Sequence, residues 1–292
     1  MIIQTLATCH NRKEKTLASL GDLHQQEIPD NVTLRHTIVD DGSTDGTSEA
    51  VSHHFPDVEI IQGEGNLFWA GGMRYGWDQS VKHRHFDYLF VYNDDVRLNA
   101  NALNHLISTS SDYLSAHGTP AHAVTGAFTD STGEATTYSG AVKTTSWHPF
   151  RVQRTEPPDT GYKLVDTMNM NGALLSSSAL LTVGFLSDFF IHGGADFEYG
   201  LKLNKAGGKV LLASGHIGSC DRNNTKGTEL EPGISLAESY RRLLSAKGQP
   251  PIQRLHYCRK YAPWFWPIIW ASPYVQLPIR HNLNKIRPRR IK

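Results

Sequence analysis

The chain has 292 residues, of which 39% are hydrophobic and 20% are charged, and its formal net charge is +1 at pH 7. This composition is typical of a globular protein, large enough for one α/β domain or two small ones, and it excludes a disordered chain. The near-neutral charge argues against a nucleic-acid-binding protein, because such proteins usually carry a strong basic excess.

Cysteine usage and the chain ends indicate a cytoplasmic protein. The three cysteines, Cys9, Cys220 and Cys258, are far apart and show neither metal-site nor disulfide spacing. The first five residues are typical of a strand rather than a secretion signal. The most apolar stretch, residues 262–279, contains four prolines and is not expected to span a membrane.

The first hundred residues alternate between predicted strands and helices. Strands are predicted at 2–9, 33–39, 58–61 and 88–92, and helices at 13–26, from 44 or 45 to about 54, and at 71–81. Such alternation indicates βαβ units, and therefore an α/β fold with a mostly parallel central sheet flanked by helices.

The rest of the chain predicts a domain organisation. A helix is expected at 100–116, short strands between 121 and 165, apolar packing at 172–181, a helix at 195–206 and a strand at 209–213. We assign residues 1–220 to one domain, with a nucleotide-binding part at about 1–98 and an acceptor part at about 99–220. A loop and helix follow at 221–254, and a helical aromatic and basic appendage at 255–292.

Three predicted strands end in polar clusters, at residues 8–12, 40–41 and 93–95. In parallel sheets, ligands bind at the carboxyl ends of the strands. The pair Asp94–Asp95 could hold a hard divalent cation that binds phosphate oxygens, although a solvated turn also explains an isolated Asp–Asp pair. Asp41 could accept a hydrogen bond from a base or a ribose, or belong to an acidic turn that caps a helix.

Taken together and in order, these motifs resemble glycosyltransferase family 2, whose members have the GT-A fold. The resemblance covers roughly residues 1–220, and the stretch 66–76 is similar to rhamnosyltransferase-like branches of the family. The matching segments are Thr8–Arg12, Val39–Asp45, Gly65–Asn66, Ala70–Gly72, Asn93–Val96, Met170–Ala173 and Asp196–Gly207.

The resemblance implies a role for individual residues. Asp95 would ligate Mn²⁺ or Mg²⁺ together with His216, and Asp94 would face the ribose or a metal-bound water. Asp41 would contact a pyrimidine ring, and three residues would line the nucleotide pocket, namely Thr8, Asn11 and Arg12. Further candidates for contacts with the substrate are Asn66, Gly71, Arg74, Arg222 and Lys226, and the indoles of Trp69 and Trp77 pack either against a sugar or in the core.

Asp196 matches the position of the catalytic base in the family. The sequence departs from the family at Ala195, where a Glu is expected, and at Asn93, where an Asp is expected. Glu198 is therefore a second candidate at this site. Residues two apart on a helix do not share a face, so only one of the two carboxylates should point into the site, and we favour Asp196.

The implied activity is an inverting, metal-dependent sugar transfer. A UDP- or dTDP-sugar would donate to a hydroxyl of a saccharide or lipid-linked saccharide, in cell-surface polysaccharide or glycolipid synthesis. Two alternatives stay open here: a sugar-nucleotide nucleotidyltransferase, although residues 8–13 lack the glycine-rich loop that it needs, and a non-catalytic nucleotide-sugar-binding module. No G-x-G-x-x-G follows the first strand and no Walker loop occurs, so nicotinamide dehydrogenases and P-loop NTPases do not fit.

The segment 261–292 combines aromatic and basic residues. This composition suits peripheral contact with the inner face of the cell membrane, where a lipid-linked acceptor would lie. A helix pair that packs on the domain or forms a homodimer explains the same residues.

Overall fold

A computed structural model describes residues 1–222 and 227–286, without the side chains of 283–286. The candidate Lys226 and the final basic residues 287–292 lie outside the described residues. The strands are β1 (Ile2–Cys9), β2 (Thr33–Asp40), β3 (Glu59–Gln62), β4 (Tyr88–Tyr92), β5 (Arg97–Leu98), β6 (His122–Thr129), β7 (Thr136–Tyr138), β8 (Gly140–Lys143), β9 (Val152–Arg154), β10 (Tyr162–Val165), β11 (Thr167–Met168), β12 (Gly172–Ser176) and β13 (Lys209–Ser219). The helices are α1 (Lys13–His24), α2 (Thr47–His54), α3 (Phe68–Gln79), α4 (Ala102–His117), α5 (Ser177–Val183), α6 (Ala195–Lys205), α7 (Leu236–Leu243), α8 (Pro251–Tyr261) and α9 (Trp266–Ile286).

One large sheet forms the centre of the molecule, in the order β10-β13-β6-β12-β4-β1-β2-β3. Strands β3, β2, β1 and β4 are parallel, as predicted. Strand β12 lies antiparallel between β4 and β6, and β10 is antiparallel to β13. The α/β class is therefore confirmed. The sheet as a whole is mixed, because β12 and β10 run antiparallel to their neighbours, whereas β6 and β13 are parallel to each other.

Helix α3 packs unusually close to the sheet, and its glycines explain how. A Cβ atom on Gly72 would lie 2.4 Å from Thr8 Oγ1, and one on Gly76 would lie 2.7 Å from both Leu6 Cδ1 and Val39 Cγ2. Only glycine permits this approach. As a result, the start of α3 lies beside the carboxyl ends of β1 and β2, where the polar clusters were predicted.

The C-terminal appendage consists of helices that pack on one another. Cys258, Ala262 and Ile269 form a small buried cluster between α8 and α9. On the outer side of α9, Ile268, Val275 and Ile279 recur at helical spacing and are exposed. Among the described residues, no helix has both the length and the apolar character needed to cross a membrane. Membrane contact and dimerisation through this segment stay predictions, as do the domain boundaries.

Candidate active site

A cavity of about 550 Å³ opens where β1, β2 and β4 end. Its walls come from four separate parts of the chain that the sequence singled out. Six of the predicted site residues line it, and they are Thr8, Arg12, Asp41, Asp94, Asp95 and Asp196. A cavity of this size is sufficient for a small-molecule ligand.

Asp94 and Asp95 share a single guanidinium group. Arg12 Nη1 lies 3.1 Å from Asp94 Oδ1 and 2.9 Å from Asp95 Oδ2, and Lys15 Nζ lies 3.9 Å from the same Asp95 oxygen. Burial raises the pKa of Asp94 to about 6, an effect that the charge of Arg12 partly offsets and that of Asp95 adds to.

The two carboxylates fit a divalent cation. Asp94 Oδ2 is buried and has no hydrogen-bond partner among the described residues. An unpartnered buried oxygen is costly to the fold, and a hard cation coordinated by oxygen ligands would satisfy it. Cys220 Sγ lies 3.8 Å from Asp95 Oδ1, but burial, followed by the charge of Asp95, raises the pKa of this thiol to about 12. A thiol is a soft ligand, whereas Mn²⁺ and Mg²⁺ prefer oxygen ligands, so Cys220 is a poor ligand for either cation.

His216, the predicted second metal ligand, is not brought to this cavity. It is exposed and its Nε2 lies 2.9 Å from Thr136 Oγ1. Cys220, whose Sγ lies beside Asp95, comes four residues after His216 in the chain. Four residues of extended strand span roughly 13 Å, so His216 lies well away from Asp95. The prediction relied on the family resemblance, which implies a metal-ligand histidine just after the strand predicted at 209–213. That strand continues to Ser219, so the residue near the metal position lies further along than expected.

Asp41 has a structural task at the edge of the cavity. Its Oδ1 accepts a hydrogen bond from the Gly65 backbone N–H at 2.8 Å, and its Oδ2 accepts from the N–H groups of Leu67 and Phe68. These bonds satisfy donors at the first turn of α3, which therefore begins at Phe68 and not at the predicted residue 71. The predicted contact of Asp41 with a base stays a prediction.

Asp196 lies at the start of α6 and lines the cavity. Its Oδ1 accepts from the Phe197 N–H at 2.8 Å and its Oδ2 accepts from Asn169 Nδ2 at 3.2 Å. Burial raises the pKa of this carboxyl group, and the two hydrogen bonds counteract the effect in part. A carboxylate with a raised pKa is a better proton acceptor than an exposed one.

Glu198 points away from the cavity and is fully buried. Its Oε1 accepts from Lys260 Nζ and from the Tyr261 hydroxyl, both at 2.6 Å, and its Oε2 accepts from Ser187 Oγ at 2.8 Å. Burial alone would raise the pKa of Glu198, but these three partners together lower it. Glu198 therefore joins α6 to the end of α8, and this geometry does not suit the alternative role as base.

We expect the Glu198→Ala substitution to lower the free energy of unfolding by about 3 kcal/mol. This is the lower end of the range for a broken buried ion pair, because Lys260 keeps some access to water. The pKa of Glu198 is lower in the folded chain than in the unfolded one, so its stabilisation is present above pH 4.5 and is lost as the pH falls through the folded value. Urea unfolding from pH 7 to pH 3 measures both effects.

The exposed Asp159→Asn substitution is the matched control for this series and should leave the unfolding midpoint unchanged. A wild-type midpoint equal to that of Glu198→Ala at pH 7 would contradict the structural role.

Four other predicted residues are placed outside the cavity lining. Arg74 Nη1 donates to the backbone carbonyls of Ser187 and Phe190, and the Gly71 N–H donates to Ile191 O, so both hold the segment that precedes α6. Asn11 accepts from the Thr44 N–H, and Asn66 is exposed. Their roles as substrate contacts stay predictions.

The structure adds cavity residues that the sequence reasoning missed or left open. Trp69 lines the cavity and its Nε1 donates to Asn93 Oδ1 at 2.9 Å, whereas Trp77 packs against Phe185 in the core. Asn93, which departs from the family motif, thus orients the indole. The other residues missed are His192, Asn169 and Lys247. In the sequence, the pair Gly193–Gly194 after His192 was the signal that could have pointed to this part of the cavity lining.

Comparison with known proteins agrees with this fold. The sequence matches the family described as glycosyl transferase family 2 over residues 6–167, more than half of its length. The chain therefore belongs to glycosyltransferase family 2 and is a glycosyltransferase. No curated protein matches it in sequence.

Three solved structures share the GT-A fold at low sequence identity. The mannosyltransferase PcManGT from Pyrobaculum calidifontis, in complex with GDP-Man and Mn²⁺, is 16% identical with a TM-score of 0.53, over 96% of this chain and 72% of that one. S. aureus TarS 1-349 in complex with UDP is 12% identical with a TM-score of 0.50, over 87% and 69%. GalNAc-T7 with UDP, GalNAc and Mn²⁺ is 13% identical with a TM-score of 0.57, over 83% and 47%.

Proposed function

We propose that this enzyme moves one sugar from a UDP- or dTDP-sugar to an acceptor hydroxyl with inversion at the anomeric carbon, using Mn²⁺ or Mg²⁺. We assign the reaction to cell-surface polysaccharide or glycolipid synthesis, and the rhamnosyltransferase-like branch stays part of the proposal. The observation that carries it is the single cavity to which Asp41, Asp94, Asp95 and Asp196 converge from three distant segments. Nucleotides or Mn²⁺ in three proteins of the same fold support the ligand class.

Asp196 is the base in this proposal. The acceptor hydroxyl gives its proton to Asp196 while its oxygen forms a bond to the anomeric carbon. The bond from that carbon to the phosphate oxygen breaks in the same step, and the nucleoside diphosphate leaves. Asn169 and the Phe197 N–H hold the carboxylate in place, so its orientation is set before the acceptor binds.

Asp95 and Asp94 would hold the divalent cation, with the unpartnered Asp94 Oδ2 as a free ligand atom. When bound, such a cation neutralises the charge that develops on the departing diphosphate. Arg12, which now bridges the two carboxylates, and Lys15 supply further positive charge beside that position.

A panel of nucleotide sugars tests the donor class. We expect UDP- or dTDP-sugars at a hundredfold excess over Kd to raise the Tm by roughly 5 °C with Mn²⁺, and GDP-sugars to have a smaller effect. The same mixtures, analysed for released sugar, measure slow hydrolysis of the donor. The proposal fails if no nucleotide sugar changes the Tm with either Mn²⁺ or Mg²⁺.

A further inference from the structure

A second cavity adjoins the first and is built largely from the C-terminal helices. It has a volume of about 640 Å³, and we call it the C-terminal groove. Its walls are the loop 147–151, helix α8 and helix α9. Gly193 and Gly194, which precede Asp196, line both this groove and the candidate active site. The two cavities therefore adjoin at these glycines, close in sequence to the proposed base.

The groove carries positive charge without matching carboxylates. Three arginines line it, Arg151, Arg254 and Arg280, and no lining residue is Asp or Glu. Among the described residues, none of the three forms an ion pair with a carboxylate. Arg254 is also buried, with 8% of its surface exposed, and its guanidinium donates to the backbone carbonyls of Ile269 and Trp270. The guanidinium also donates to Gln249 Oε1 and Ser272 Oγ, so its N–H groups have partners, but all of these acceptors are neutral and a bound anion would offset the charge.

Hydrogen-bond donors in the groove also lack partners. Gln253 is 6% exposed, and its Nε2 has no hydrogen-bond partner in the part of the chain that the structure describes. The same holds for the buried Nδ1 of His148. Both residues line the groove, so a side-chain rotation would bring these polar atoms to a ligand there.

Aromatic faces line the mouth of the groove. Trp147 and Phe150 are 44% and 39% exposed, although both are large and apolar. Arg151 lies over the Trp147 ring at 5.6 Å, and Phe150 packs on Tyr257 with ring centroids 4.5 Å apart. Rigid aromatic faces beside free amide donors suit the apolar face and the hydroxyls of a sugar ring.

We propose that the C-terminal groove binds the acceptor, and that this acceptor is a saccharide carrying a phosphate group. The inference rests on the proposed function, because it assumes that the adjoining cavity binds the donor. The aromatic mouth holds the sugar, its free hydroxyl passes Gly193 and Gly194 towards Asp196, and the phosphate lies near Arg254 and Arg280. Glu198, on α6, contacts Lys260 and Tyr261 at the end of α8, and these contacts fix the position of the groove relative to α6.

Matched pairs of sugars test the groove without knowledge of the natural acceptor. Glucose, galactose, mannose and N-acetylglucosamine are compared with their 1-phosphates by ligand-observed NMR, at constant ionic strength and with UDP and Mn²⁺ present. We expect at least one phosphate to bind and its neutral parent to bind at least tenfold more weakly. Alkyl phosphodiesters of the same sugars form a second arm, and tighter binding of these identifies a lipid-linked source.

Two variants assign any binding to the groove. In Arg151→Gln with Arg280→Gln, phosphate affinity should fall at least tenfold, and Gln253→Glu should have a similar effect because it places a negative charge in the groove. Lys82→Gln, an exposed substitution distant in sequence, is the control and should bind like wild type.

Nucleotide affinity separates failure of this inference from failure of the proposed function. The groove variants should keep wild-type affinity for UDP with Mn²⁺. The inference is overturned if no sugar phosphate binds, if the neutral sugars bind equally well, or if the variants bind the phosphates like wild type. If the wild-type protein does not bind UDP with Mn²⁺, that result instead contradicts the proposed donor site.

Discussion

The Asp196→Asn substitution should reduce sugar transfer by about 10²–10⁴-fold, the range for loss of a general base, while donor affinity stays within about twofold. The asparagine keeps an oxygen that can accept from the Phe197 N–H, and Asn169 can rotate its amide to present its own oxygen to the new side chain. The cavity shape is therefore preserved, but no group at this position takes the acceptor proton. Transfer rate and donor affinity are measured separately, by product release and by calorimetry.

Glu198 provides the informative comparison for this experiment. Glu198→Gln should unfold at lower denaturant concentration than wild type yet keep a substantial transfer rate when folded, because its partners Ser187, Lys260 and Tyr261 do not line the cavity. If Asp196→Asn were fully active and a folded Glu198→Gln inactive, the base would be Glu198. Asp159→Asn, on the surface, should match wild type in both measurements.

The Asp95→Asn substitution should remove the Mn²⁺-dependent part of donor affinity. In wild type, we expect Mn²⁺ to tighten UDP binding at least tenfold, because Asp95 and Asp94 would hold a cation whose charge offsets that of the diphosphate. The substitution keeps the side-chain size but leaves Arg12 with one carboxylate partner in place of two. Calorimetric titrations of UDP with and without Mn²⁺, on both proteins, measure the difference.

The control for this titration is Asp112→Asn, an exposed position on α4. Its UDP affinity should respond to Mn²⁺ as that of wild type does. An unchanged Mn²⁺ response in Asp95→Asn would remove Asp95 from the metal site and leave Asp94 as the remaining carboxylate there. Because His216 is bonded to Thr136 outside the cavity, His216→Ala should not alter the response.

The clustering of Asp41, Asp94 and Asp95 was predictable from the sequence, and the reason is geometric. Each residue directly follows an apolar strand, and parallel strands end at the same edge of a sheet. Local pattern therefore determines three carboxylates and their common location. Asp196 was predicted from the family motif alone. Its place in the cavity depends on how α6 packs across the sheet, which the periodicity of the sequence does not determine.

Tertiary structure decided the remainder, because it depends on contacts between residues far apart in the chain. Glu198 could not be assigned from its own segment, as its partners Lys260 and Tyr261 come 62 and 63 residues later. His216 was misplaced because strand length after Ala213 is determined by pairing with β6 and β5. The C-terminal groove exists only because α8 and α9 fold back onto the loop 147–151. The sequence shows that the segment 261–292 is rich in aromatic and basic residues. Packing alone determines which of them face a cavity and which face water.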